Sequence, residues 1–471
     1  MTDYFKEDKD AIRDKCGVFG IFAPGKDVAQ ITYLALHSLQ HRGQESAGIT
    51  VSDGDTFRSI RKLGLVTSVF NEVNLSKLKG FLAIGHNRYS TTGGNTIENV
   101  QPIIIPNGGD SLAVSHNGNL VNSLELSKKL KKNNMVSTTD TEVLALLICQ
   151  NEAKSWEEKI TNTLIQAKGA YSIVACTKHK LYAFRDPWGF RPLVIGKIDG
   201  NFVVASETCA LDTIGAKYIR DVALGEIIAI DKKGVKTVAV LPKQSKKFCL
   251  FEYVYLARPD SVMNDVLVHK ARQRSGKILA KEAPVKADMV VAVPDSGTSA
   301  AIGFAQSTGI PYGEALIKNR YIGRTFITPE QRIREQNVKM KFNPMKEVVM
   351  GKSIVIVDDS IVRGTTMKKI VEVLRDCGAK KIHLRICSPP IRWPCFFGVD
   401  TPERKQLIAS KKTVAEIKKF IGADSLHYLS LAGLIEASGQ PKGSLCSACF
   451  TGNCPMKVDL NFKKNIFEAN C

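Results

Sequence analysis

The run GKSIVIVDDSIVRGTTMKKIVEVLRDCGA, residues 351–379, limits the fold more than any other stretch of the chain. Its Ile-Val stretch shows no polar alternation, so both faces of that strand must be covered by other elements. The strand ends in two carboxylates, Asp358 and Asp359, and a loop of small residues leads into apolar positions at helical spacing. ADMVVAVPDSGTSAAIGFAQ, residues 287–306, repeats the plan. Strand, loop and helix in alternation predict a parallel sheet with helical crossovers.

The preceding half has a different rhythm. From Cys16 to about residue 240 many short strands (GVFGIF, FLAIGHNRYS, SLAVSHNGNL, AYSIVACT, KLYAFRD, FVVASE) surround two helical patterns, VAQITYLALHSLQHRG and DTEVLALLICQNEA. That mixture predicts a layered α+β domain. A Pro/Lys/Ser stretch, VLPKQSKKFC, reads as the linker, and 471 residues exceed what one core holds. The expected division is a leader over 1–15, domains over 16–243 and 244–440, and a tail over 441–471.

The leader MTDYFKEDKDAIRDK lacks the apolar core of a secretory signal, and its acids do not suit an organellar transit peptide. With no bilayer-spanning run, the expectation is a cytoplasmic protein that does not engage membranes. The net charge of +20 is spread along the chain, without zinc-finger spacing or an RNP-like aromatic motif, so we expect a Lys-rich solvated surface and no nucleic-acid partner. The twelve cysteines are correspondingly read as thiols rather than a disulfide framework.

Two acids at the carboxyl end of a strand face the place where open α/β sheets bind ligands. The backbone N–H groups of Gly364, Thr365 and Thr366, beside a helix N-terminus, form a phosphate cradle. No Gly-Lys-[Ser/Thr] follows, which excludes a Walker A loop. A ribose phosphate satisfies both halves, its hydroxyls donating to the acids and its phosphate accepting from the amides. Between the two strand-loop-helix units lies LIKNRYIGRTFITPEQRIR, either a solvated basic loop or a lid over an anion.

IVIVDDSIVRGTT resembles the signature of type I phosphoribosyltransferases, which use phosphoribosyl pyrophosphate (PRPP). The resemblance implies that Asp358 and Asp359 bind the ribose hydroxyls, while Ser360 and Arg363, Gly364, Thr365 and Thr366 hold the 5′-phosphate. VPDSGTSA then matches the pyrophosphate loop, Asp295, Ser296, Gly297 and Thr298. It further implies Mg²⁺ on the diphosphate near Ser296, Asp358 and Asp359, and ligand contacts from Lys318, Arg320 and Arg324 in the lid.

At the other end, Cys16 marks the seam between the charged leader and the first strand. Removing residues 1–15 would leave Cys16 with a thiol and a free α-amine of pKa roughly 7.7–8.0, a nucleophile carrying its own base. A small buried thiol that starts a strand is the plainer alternative. Downstream, Arg88 in IGHNRYSTTG can take an α-carboxylate, and the Asn117 amide with the Gly118 N–H in VSHNGNL can take an oxyanion. Asp140 in STTDTE suits an ammonium. With Arg42 in LQHRGQESAG, these fragments in this order resemble class II glutamine amidotransferases, of the N-terminal nucleophile (Ntn) hydrolase type. That fold is a four-layer α+β sandwich, here followed by the α/β phosphoribosyltransferase domain. The resemblance implies that Cys16 forms a thioester, Asn117 and Gly118 make the oxyanion hole, and Arg42, Arg88 and Asp140 hold glutamine.

A glutaminase joined to a PRPP domain resembles the amidophosphoribosyltransferases, which make 5-phosphoribosylamine in the first committed step of purine synthesis. The resemblance implies ammonia transfer along a shielded interdomain path, feedback inhibition by purine nucleotides and a homotetramer. A catalytically silent PRPP- or nucleotide-binding regulator is the rival reading, and the intact Cys16, oxyanion donors and Asp pair speak against it. Finally, Cys446 and Cys449 form C-x-x-C, with Cys249 and Cys395 upstream and Cys387 and Cys454 as further thiols. Four thiolates suit a structural Zn²⁺ or a [4Fe–4S] cluster, and a redox C-x-x-C is a lesser alternative. The branch of the family with a cleaved leader carries a [4Fe–4S] cluster on positions matching Cys249, Cys395, Cys446 and Cys449, so the resemblance implies iron–sulfur.

Overall fold

The computed structural model describes residues 16–89, 93–131, 135–318, 342–401 and 403–458. Strand Gly17–Phe22 shows how its first half is assembled. Phe19 and Ile21 point to one side, into a core with Ala35 and Leu36 of helix Val28–Ser38. Val18 and Phe22 point to the other, against Ile84, Val174 and Leu181. A strand buried on both faces needs a layer on each side, and two antiparallel sheets supply them. One runs Lys217–Asp221, Val194–Ile198, Asn201–Ala205, Gly17–Phe22, Leu82–Arg88, Ser46–Ser52, Phe57–Leu63; the other runs Gly234–Val240, Glu226–Asp231, Leu181–Arg185, Gly169–Cys176, Asp110–Leu120, Ile103–Asn107. Gly20 permits their close approach, because a Cβ there would lie 2.5 Å from Val174 Cγ1. Helices Val28–Ser38 and Thr208–Thr213 cover the first sheet, and Asp140–Gln150 and Trp156–Leu164 the second. The layers run helix, sheet, sheet, helix, the expected Ntn-type sandwich.

The second half is built on a four-stranded parallel sheet ordered Met289–Ala292, Ser353–Asp358, Lys381–Ile386, Ser425–Tyr428. Its apolar strands bury both faces. Val290, Ala292, Val355 and Val357 meet helices Val268–Glu282 and Thr298–Thr308, while Ile354 and Ile356 meet Thr365–Asp376 and Val414–Ile421. Strand Phe248–Cys249 at the junction pairs in parallel with Leu445–Cys446, which folds the tail back onto the linker. Among the described residues no helix is long and apolar enough to cross a membrane.

Candidate functional site

Cys16 immediately precedes strand Gly17–Phe22, whose antiparallel pairing sets Gly17 opposite Asn87 and so draws the end of strand Leu82–Arg88 alongside. The Cys16 thiol lies 3.5 Å from the Tyr89 carbonyl oxygen as donor. Arg88 is buried and donates to the Gly94 and Gly93 carbonyls at 3.1 and 3.2 Å. Asp140 opens helix Asp140–Gln150, where Thr139 caps the first turn. Its Oδ2 accepts from the Leu120 N–H at 2.8 Å, and its Oδ1 faces His116 Nδ1 at 3.8 Å. Cys16, Arg88, Gly118 and Asp140 together line one pocket. Asn117 is not among the lining residues, yet both polar atoms of its amide are buried without a hydrogen-bond partner among the described residues.

Burial pushes the Cys16 thiol up to about 11, with the Arg88 charge pulling the other way. Burial likewise pushes His86 down to about 3 and lowers His116, so both imidazoles are neutral at physiological pH. Five lining residues, Tyr89, Gln101, His116, Thr139 and Thr141, escape the sequence reading, and three of them are joined by hydrogen bonds. Gln101 Oε1 accepts from the His116 N–H at 2.7 Å, its Nε2 donates to Thr141 Oγ1 at 3.0 Å, and His116 Nδ1 lies 3.1 Å from that hydroxyl. His116 and Thr141 adjoin predicted residues and could have been flagged by that proximity; Gln101, before an Ile run, carries no sequence signal.

Arg42 is placed elsewhere. It does not line the pocket; its buried guanidinium donates to Glu207 and, at 2.9 Å, to Glu252 Oε2 at the domain junction. Burial pushes the Glu207 carboxyl up, but Arg42 and His41 outweigh it and hold the group well below the usual carboxylate range. Further contacts cross between the halves, among them these two. Asn119 Nδ2 donates to the Phe396 carbonyl at 2.9 Å, and Phe190 stacks on Phe397 with ring centroids 4.4 Å apart.

In the second half the two predicted loops follow adjacent parallel strands, and both therefore emerge at the carboxyl edge of the sheet. Asp358 ends strand Ser353–Asp358, and its Oδ1 accepts from the Asp359 N–H at 2.9 Å. Ser360 donates to Asp359, and the Ser296 hydroxyl of the other loop lies beside the same carboxyl. Burial pushes the Asp359 carboxyl up, opposed by those hydroxyls and by Arg272. Gly297 is required by close approach, since a Cβ would lie 2.5 Å from the Val357 carbonyl oxygen. Gly364, at φ +78°, turns the chain into helix Thr365–Asp376, whose N-terminus carries Thr365 and Thr366, and Thr298 opens helix Thr298–Thr308 in the same way. Lys318 Nζ pairs with Asp295 Oδ2 at 2.6 Å. Arg363 donates to Gln406. Arg320 and Arg324 lie outside the described residues.

The tail and linker pairing sets Cys249 directly opposite Cys446. Cys449 sits in the short helix Ala448–Thr451, and Cys395 Sγ accepts from the Phe397 N–H at 3.3 Å. All four line one cavity with Phe251, Phe397 and the Arg191 guanidinium. Burial, then the neighbouring thiols, push Cys449 well above its ordinary value; for Cys249 burial raises and Arg191 opposes. Cys387, whose N–H bonds the Asp358 carbonyl, and Cys454 do not line the cavity. Among the described residues no three His, Cys, Asp or Glu side chains are grouped to hold a metal ion.

Two family models match the chain, "Glutamine amidotransferase domain" over residues 86–213 and "Phosphoribosyl transferase domain" over 265–387. Amidophosphoribosyltransferase of Synechocystis sp. is 50% identical, over 95% of this chain and 92% of its own. Its Bacillus subtilis counterpart is 48% identical over 95% of each. Among solved structures, glutamine PRPP amidotransferase from B. subtilis complexed with ADP and GMP superposes with a TM-score of 0.90 at 47% identity, covering 95% of this chain and 98% of that one.

Proposed function

The chain belongs to the amidophosphoribosyltransferase family, and from that footing we propose which residues carry each half of its reaction. The reaction hydrolyses glutamine and transfers the ammonia to C1 of PRPP, giving 5-phosphoribosylamine, glutamate and pyrophosphate.

Cys16 attacks the glutamine amide, ammonia leaves, and water resolves the thioester to glutamate. A thiol that burial holds at about 11 is protonated at neutral pH and needs a base. Once residues 1–15 are removed, the α-amine of Cys16 is that base. The Asn117 amide, buried with no partner, and the Gly118 N–H receive the oxyanion. Arg88 takes the α-carboxylate and Asp140 the α-ammonium of the substrate. In the second site Asp358 and Asp359 hold the ribose hydroxyls, the Gly364–Thr366 backbone the 5′-phosphate, and Asp295–Thr298 with Lys318 the diphosphate. Ser296, Asp358 and Asp359 would hold Mg²⁺, which would supply positive charge to the diphosphate oxygens. Ammonia then attacks C1 with inversion.

The four cysteines fit a [4Fe–4S] cluster. They converge on one apolar cavity, and each iron of such a cluster takes its own thiolate, so no three sulfurs need close on a single ion. When bound, the cluster ties the tail to the junction as a structural, oxygen-sensitive element. Purine nucleotides are proposed as inhibitors, supported by ADP and GMP in the B. subtilis relative; a cytoplasmic homotetramer is proposed as the working form from the family resemblance alone.

One observation carries the glutaminase assignment: Cys16, Arg88, Gly118 and Asp140 come from separate elements and line a single pocket. Cys16→Ala tests it. Pyrophosphate release from PRPP should be lost with glutamine and retained with ammonium; loss of neither contradicts the assignment.

A further inference from the structure

Arg191 belongs to the glutaminase half but faces the thiols of the other half. Its side chain is wholly buried. Nη2 donates to the Phe397 carbonyl, two residues beyond Cys395, and Nη1 lies 3.6 Å from Glu252 Oε1. Nε is buried with no hydrogen-bond acceptor among the described residues. Glu252 is shared, because its Oε2 accepts from Arg42 at 2.9 Å, and Arg42 also pairs with Glu207. Among the described residues lining the four-cysteine cavity, Arg191 is the sole cation.

A group made of four thiolates and a metal core of charge +2 leaves two net negative charges in an apolar cavity, where an uncompensated charge is costly. Groups just beyond the ligands set how tightly a metal is held and at what potential it changes state. We propose that Arg191 is a positioning residue for the metal group on Cys249, Cys395, Cys446 and Cys449, supplying its counter-charge and clamping the Cys395 loop through Phe397. This rests on reading those cysteines as ligands of one cluster. A cation beside the cluster favours its more negative, reduced form, and so raises the reduction potential.

The test uses the full chain purified without oxygen, as wild type, Arg191→Lys and Arg191→Met. Iron and sulfide per chain, the visible spectrum, the midpoint potential and the rate of iron loss to a ferrous chelator are read for each. Arg191→Met should lower the midpoint and release iron about tenfold faster. Arg191→Lys, which keeps the charge, should recover most of the potential. Ammonium-dependent turnover of PRPP, carried by loops outside this cavity, reports an intact fold. Wild-type potential and iron retention in Arg191→Met overturn the proposal while leaving the cluster reading standing. A wild-type chain without iron overturns the cluster reading itself.

Discussion

The backbone of Gly398 lies directly on that of Gly118: a methyl added to Gly398 would sit 2.8 Å from the Gly118 carbonyl carbon. Gly398 also has φ +88°, a conformation that penalises any side chain. The loop carrying Cys395 thus rests on the strand that presents the proposed oxyanion donors. Gly398→Ala should displace that strand and lower glutamine-dependent turnover about 100-fold, the usual cost of a misplacement near 1 Å. Ammonium-dependent turnover should stay near wild type. Steady-state assays with each nitrogen donor check this.

Asn117 offers a cleaner separation of activity from stability. Its amide makes no hydrogen bond among the described residues, so Asn117→Ala has none to lose. The glutaminase kcat should drop about 10²–10³-fold with little change in KM, as when an oxyanion donor is removed. The melting temperature should hold. A drop in both would mean that the amide is structural.

Arg42 predicts the opposite pattern. Removing one partner of a buried ion pair strands the other, so Arg42→Met should cost about 3–5 kcal/mol in denaturant unfolding, through Glu207 and Glu252. Among molecules that remain folded, KM for glutamine should be unchanged. A raised KM at full stability would return Arg42 to the substrate.

These residues show how far the chain could be read before folding. Both architectures follow from the pattern of elements, because Ile-Val runs without alternation demand two covered faces and many short strands around a few helical stretches demand layers. The Asp358–Asp359 loop and the pocket residues Cys16, Arg88, Gly118 and Asp140 were visible because their chemistry lies in short local motifs. Arg42 also lies in a motif, but its partners Glu207 and Glu252 are 165 and 210 residues away and only tertiary packing joins them. Gln101 and Arg191 have no motif at all. Their roles arise from the strand register and from the domain junction, neither of which leaves a local pattern.

Glu207 also makes acid sensitivity predictable. Its folded carboxyl lies below the usual range, whereas in the unfolded chain it titrates near about 4.3. The stabilisation is therefore complete above that pH and is lost as pH falls toward the folded value. Wild type should lose melting temperature more steeply between about pH 5 and pH 3 than Glu207→Gln, which starts lower and changes less. Parallel slopes would show that the Arg42–Glu207 pair contributes nothing.

The most direct test of the account is the covalent state of Cys16 in the active enzyme. The purified protein is treated with a glutamine analogue that alkylates nucleophilic thiols, and the intact chain and its peptides are weighed by mass spectrometry. The account predicts a chain that begins at Cys16, a single adduct on that residue, and loss of glutamine-dependent but not ammonium-dependent turnover. A chain that keeps residues 1–15 and still hydrolyses glutamine at full rate, or an adduct on another cysteine that abolishes the reaction, would contradict it.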